Sequence, residues 1–154
     1  MKKILTQLFL ALAFFASNAQ QINFVEYDLE NGLHVILHQD NSAPVVSATL
    51  QFHVGSKDED DGLKGFAHLF EHMLGKETKN MDSGQWGKIY SARGGSGNAS
   101  TSVDLTNYYV TVPSNSLKLA LWRYSEIMLH PIIEQETIDI QREAVKEEKR
   151  LRYN

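Results

Sequence analysis

The first clear pattern of apolar and polar positions lies in INFVEYDLENGLHVILHQD, residues 22–40. It predicts two short strands joined at Asn31-Gly32, a dipeptide that favours a hairpin reversal. VVSATLQFHV (45–54) has the β-branched and aromatic content of a third strand. Residues 65–74 and 83–93 predict helices, the first stopped by Gly75. NASTSVDLTNYYVTVP (98–113) returns to strand character and predicts two more strands, ended by Pro113. A helix follows over 116–130, with Leu117, Ala120, Leu121, Ile127 and Met128 on its apolar side and Ser114 or Asn115 as cap. A last helix starts near Glu134 and is still helical in character where the chain stops. Strands, helices, strands, helices in that order predict an α+β fold, with helices packed on one face of a largely antiparallel sheet.

Composition narrows the chemistry. The 154 residues are 42% hydrophobic and 22% charged, which suits one globular domain with a real core. A net charge of −4 and the lack of a basic patch exclude nucleic acid as a partner. Cysteine is absent, so any zinc site must use histidine and carboxylate. The acidic run GSKDEDDG (55–62) lacks the spacing of a calcium loop and reads as a solvated turn. GGSGNASTS (94–102) lacks the Gly-Lys-Ser/Thr of a phosphate loop.

The opening residues stand apart. Lys2 and Lys3, an apolar run over 4–16 and Ser17-Asn18-Ala19 form the three parts of a signal peptide over 1–19. The expectation is an exported protein, periplasmic or secreted, with a mature domain over 20–154. The apolar run is too short to cross a bilayer comfortably, so no membrane span is expected after cleavage.

HLFEH, residues 68–72, is the main candidate for chemistry. On a helix, Glu71 lies at about −60° and His72 at about +40° from His68, so all three leave one face. An i, i+4 histidine pair suits zinc. Two partly buried, hydrogen-bonded histidines would leave the same pattern, and catalytic zinc needs a third protein ligand. IQREAVKEEKRL (140–151) offers one. With Glu148 at zero on the wheel, Ala144, Leu151 and Ile140 fall at about −40°, −60° and −80°, and Val145 and Ile138 at about +60° and +80°. Glu148 thus sits in the middle of the apolar arc, where a carboxylate is costly unless paired or metal-bound. Glu147 lies at the rim and Glu143 toward solvent.

HLFEH, the downstream Glu148, GGSGNASTS, TNYYVTVPSNSLKLAL and REAVKEEKRLR together resemble the inverzincin pattern of the pitrilysin, insulinase and mitochondrial processing peptidase family. The likeness runs from about Ile22 to Asn154. It implies the N-terminal domain of that type, with one Zn2+ held by His68, His72 and Glu148. Glu71 is implied as the catalytic base, taking a proton from a zinc-activated water and passing it to the leaving amine. A peptide or unfolded polypeptide would add as a strand to an exposed sheet edge, touching Asn98 and Ala99. Members often carry glutamate seven residues before the ligand glutamate; here Gln141 stands there, able to hydrogen-bond beside the site but not to supply charge. Members also resemble two homologous halves enclosing a chamber. A second half or partner subunit is therefore implied, and the domain is expected to be incomplete at its C-terminus and at most weakly active alone. The function implied is an exported zinc-dependent metalloendopeptidase or oligopeptidase. The alternative is a truncated or non-catalytic member acting as a binding subunit or inactive fragment.

Overall fold

A computed structural model describes residues 22–153, so the expected signal peptide lies outside the described residues. Two compact units divide between Ala43 and Pro44.

In the first unit, β1 (Val25–Asp28) and β2 (His34–Leu37) pair antiparallel, with Asp28 opposite His34. The reversal differs from a two-residue hairpin loop. Gly32 donates its N–H to Leu29 O and Leu29 donates to Leu33 O, both at 2.9 Å. Gly32 has φ of 83° while no described non-glycine residue has positive φ. A two-residue loop through Asn31-Gly32 would need positive φ at both residues, so the chain instead makes an ordinary turn closed by a glycine bulge. Asn31 contributes through its side chain, whose Oδ1 accepts the Leu33 N–H at 3.2 Å.

The second unit is built on a three-stranded antiparallel sheet. Its order is β3 (Val45–Phe52), β5 (Thr106–Pro113), β4 (Ser96–Thr101). The period of two sorts the central strand: Thr106, Tyr108, Val110 and Val112 are buried, while Tyr109 and Thr111 between them are exposed. Tyr108 faces Leu50 on β3 and Ala99 on β4. That apolar face receives α2 (Gln85–Ala92) through Trp86 and Tyr90, and α3 (Leu117–Leu129) through Ala120, Tyr124 and Ile127. A large apolar side chain such as Ile127, fully buried there, contributes about 1.5–3 kcal/mol. Helix α1 (Phe66–Leu74) lies against β4 and β5, and α4 (Gln135–Tyr153) packs on α1. The architecture is α+β, as the element order predicts.

Two local expectations change. Neither Ser114 nor Asn115 caps α3; the chain enters through a 3-10 turn over Ser114–Ser116, anchored by Ser114 N–H donating to Pro44 O at 3.0 Å. The buried stripe of α3 centres on Tyr124, whose hydroxyl reaches Ala48 O at 2.6 Å and Tyr108 O at 3.0 Å. That anchor across β3 and β5 leaves Leu117, Leu121 and Met128 exposed.

The glycine-rich break at 94–102 also resolves into strand from Ser96 onward. A Cβ on Gly97 would stand 2.8 Å from Tyr109 O and 3.3 Å from Val110 Cβ. Glycine is needed there because β4 lies so close on β5. No helix among the described residues is long and apolar enough to cross a membrane.

Candidate metal centre

Helix α1 begins at Gly65, a cap position with no side chain to satisfy the first amides. Glu59 does so from the preceding loop. Its Oε2 accepts the Gly65 N–H at 2.8 Å and its Oε1 the Ala67 N–H at 2.9 Å. A carboxylate at this end also complements the positive pole of the helix. The acidic run is therefore more than a solvated turn: Glu59 is only partly exposed and Asp58 accepts the Gly55 N–H at 3.0 Å. An acidic run beside a helix start without a capping residue was the available signal. Further along, Tyr108 donates its hydroxyl to Glu71 O at 3.0 Å and fastens the middle of α1 to the sheet.

This helix presents His68 and His72 with their Nε2 atoms 3.2 Å apart. From α4, Glu148 places Oε2 3.4 Å from His68 Nε2 and Oε1 3.6 Å from His72 Nε2. Tetrahedral zinc with bonds of about 2.0–2.1 Å would hold its ligand atoms roughly 3.3–3.5 Å apart. The three side chains fit that ion. With the His72 Nδ1–H on Gln141, its Nε2 and the Glu148 oxygens present lone pairs, and a cation bound among them with His68 Nε2 would be held by all three side chains. Solvent reaches the cluster, since the His68, His72 and Glu148 side chains are 25%, 19% and 42% exposed.

Gln141 stands directly behind. Its Oε1 lies 3.2 Å from His72 Nδ1, and an Nδ1–H donated there leaves Nε2 with the lone pair. Gln141, at 6% exposure, is the one buried residue among those described along α4. The same rotation turns Glu143 toward Lys146 (2.7 Å) and Glu147 toward Arg150 (2.6 Å), both at the surface. Ile140 and Leu151 are exposed, contrary to a fully covered apolar arc, because α4 packs chiefly on the single helix α1.

Glu71 shares the face of α1 but takes no part in the three-donor cluster. It is 8% exposed, and its Oε2 accepts the Thr101 hydroxyl at 2.5 Å. Its other oxygen has no hydrogen-bond partner among the described residues. Thr101 was not foreseen; only the register of β4 brings it to Glu71.

Asn98 and Ala99 lie on β4, which pairs with β5 on one side and is open on the other. The Ala99 N–H donates to Asn98 Oδ1 at 2.9 Å. Both residues line a cleft of about 440 Å³ together with Glu71, His72 and Gln141. Its far wall holds the Arg123 guanidinium, 5.0 Å from the Trp86 ring centroid and 5.9 Å from that of Tyr90. Burial pushes the Tyr90 hydroxyl up to about 12 and pulls Arg123 below its ordinary value.

Residues 34–151 match the sequence profile of insulinase, peptidase family M16. The chain belongs to this family. It is 35% identical over 125 residues to the zinc protease PqqE of Helicobacter pylori, covering 80% of this chain and 28% of that protein. It is 34% identical over 122 residues to the insulin-degrading enzyme of Homo sapiens, covering 79% of this chain and 12% of that one. Among solved structures, a protease from Helicobacter pylori aligns with a TM-score of 0.81 at 32% identity, over 86% of this chain and 32% of the other. Pitrilysin aligns with a TM-score of 0.75 at 28% identity, over 86% of this chain and 14% of the other. The M16 chain described here thus spans 12% to 32% of the length of these relatives.

Proposed function

We propose that this chain carries the metal-binding and proton-transfer residues of a zinc-dependent metalloendopeptidase or oligopeptidase. The observation that supports this reading best is the pair of imidazole nitrogens 3.2 Å apart, each 3.4–3.6 Å from one oxygen of Glu148, with Glu71 beside them and bonded elsewhere. His68, His72 and Glu148 would hold one Zn2+, and Gln141 would keep His72 in the tautomer that binds it. Bound zinc supplies a Lewis acid that polarises the scissile carbonyl and lowers the pKa of water. Glu71 takes the proton on the oxygen that Thr101 leaves free, then returns it to the leaving amine. The substrate is an extended peptide or unfolded polypeptide, added as a strand along the open edge of β4 with Asn98 and Ala99 against it.

The relatives' greater length supports a homologous second half or partner subunit that closes the cleft from the other side. The basic and apolar residues of 1–19 support export, to the periplasm or beyond. A purely binding role would have no use for a complete donor set with a base beside it. The test is zinc content and cleavage of an unstructured peptide, measured side by side, with the second half supplied in trans. Glu71→Gln retains zinc and loses cleavage; substantial cleavage by this variant removes Glu71 from the base role.

A further inference from the structure

The cleft beside the metal centre carries two cations that nothing in the fold answers. Arg123 of α3 and Lys76, just beyond α1, both line it. Neither makes an ion pair or a side-chain hydrogen bond among the described residues, although other lysines and arginines do. Glu71 is the carboxylate on the cleft wall, and Thr101 already occupies one of its oxygens.

The surroundings of Arg123 sharpen this. Its guanidinium rests against Trp86 and Tyr90, contacts that use the faces of the aromatic rings. A guanidinium also has five N–H donors in its own plane, and stacking satisfies none of them. The Nε1 of Trp86 and the hydroxyl of Tyr90 are buried without partners as well. The wall is thus rich in donors and positive charge and poor in acceptors. Water can serve some of these groups, but a carboxylate matches the planar fork in two bonds at once. The chain as a whole is negative, at −4, so attraction for an anion is local to this wall.

We propose that the cleft is a specificity pocket for a carboxylate of the bound peptide, with Arg123 as the residue that meets it and Lys76 adding charge. The pocket takes an Asp or Glu side chain, or the carboxylate at the end of a peptide chain. The inference rests on the peptidase reading for its ligand and is tested separately from it.

The experiment uses the zinc-loaded full chain and three short peptides. One is capped at both ends with an internal Glu, one is its Gln isostere, and one is the Gln peptide with a free C-terminus. Binding is read from tryptophan fluorescence, because Trp86 lines the cleft, its ring centroid 5.2 Å from that of Trp122. The charged peptides are expected to bind roughly tenfold tighter than the capped Gln peptide, as a charge-assisted bond allows. Tightening by only one of them assigns the pocket to side chains or to chain ends. Arg123→Met removes the advantage and leaves the affinity for the capped Gln peptide nearly unchanged, while Lys76→Met reduces the advantage about twofold to threefold. Equal affinity of the wild type for all three peptides overturns the proposal without recourse to any variant. If Arg123→Met does not fold, the wild-type comparison is repeated at high salt, where the advantage must shrink; an advantage untouched by salt also overturns it. Cleavage is scored in the same samples. With the second half added in trans to the same samples, discrimination without cleavage sinks the peptidase reading and keeps the pocket, and cleavage without discrimination sinks the pocket.

Discussion

His72 Nδ1 lies 3.2 Å from Gln141 Oε1, across the seam between α1 and α4. One amide oxygen thereby decides which imidazole nitrogen carries the proton and which faces His68 and Glu148. It also ties together the two helices that bring the donors to one point.

Gln141→Leu should lower zinc affinity by about 10- to 100-fold, since the ring loses the partner that orients it. Gln141→Glu should match or exceed the wild type, because a carboxylate accepts the same bond and adds negative charge. Competition with a chelator of known affinity measures both. An unchanged affinity in the Leu variant would mean that α4 contributes to the site through Glu148 alone.

The chain should retain about one zinc after dialysis, as three convergent donors on two helices suggest. His68→Ala, His72→Ala and Glu148→Ala should each abolish retention, while Glu143→Ala, whose carboxylate pairs with Lys146 at the surface, should not. Stripping the metal should lower the thermal midpoint, because an ion that binds the folded state stabilises it by mass action. A folded sample with almost no zinc after dialysis would remove the metal assignment.

Glu59 caps the helix that carries both histidines, so Glu59→Ala should destabilise the fold by about 1–2 kcal/mol. Glu59→Gln should recover part of the loss, since its amide oxygen still accepts one bond but brings no charge to the helix pole. Chemical denaturation of the three proteins at one zinc concentration gives the comparison. Equal midpoints would show that water caps α1 as well as the carboxylate does.

Acid should weaken the fold through Glu126, which is 3% exposed. Burial raises the pKa of its carboxyl, but hydrogen bonds from Asn80 Nδ2 to both oxygens, at 2.9 and 3.1 Å, the nearby Thr78 hydroxyl and the charge of His130 together outweigh this and hold it below the usual glutamate range. A folded pKa below the unfolded one means that the stabilisation is present above the unfolded value, about 4.3, and is lost as pH falls through the folded value. Thermal midpoints between pH 7 and about pH 3 should therefore fall at the acid end. Asn80→Ala should lower the midpoint at pH 7 and flatten the acid decline. A decline of unchanged steepness in that variant would place the acid sensitivity on other carboxylates.

Much of this protein was legible along the chain, for a local reason. Periods of two and 3.6 fix which residues share a face, so the alternation in β5 and the convergence of His68, Glu71 and His72 follow from geometry within one element. Gln141 and Glu148 fall on one side of α4 for the same reason. What no period carries is the distance between elements. Packing of α4 on α1 decides that Glu148 reaches within 3.4 Å of His68 and that Gln141 meets His72. The register of β4 decides that Thr101 meets Glu71, and the path of the loop before α1 decides that Glu59 replaces an absent cap. No signal along the chain marks Arg123; only the assembled sheet and α2 put it against Trp86 and Tyr90 on the wall of the cleft. Side chains distant in sequence meet only where burial of the Tyr108, Val110 and Val112 face sets the elements against one another, and that requires the whole sheet and its helices at once.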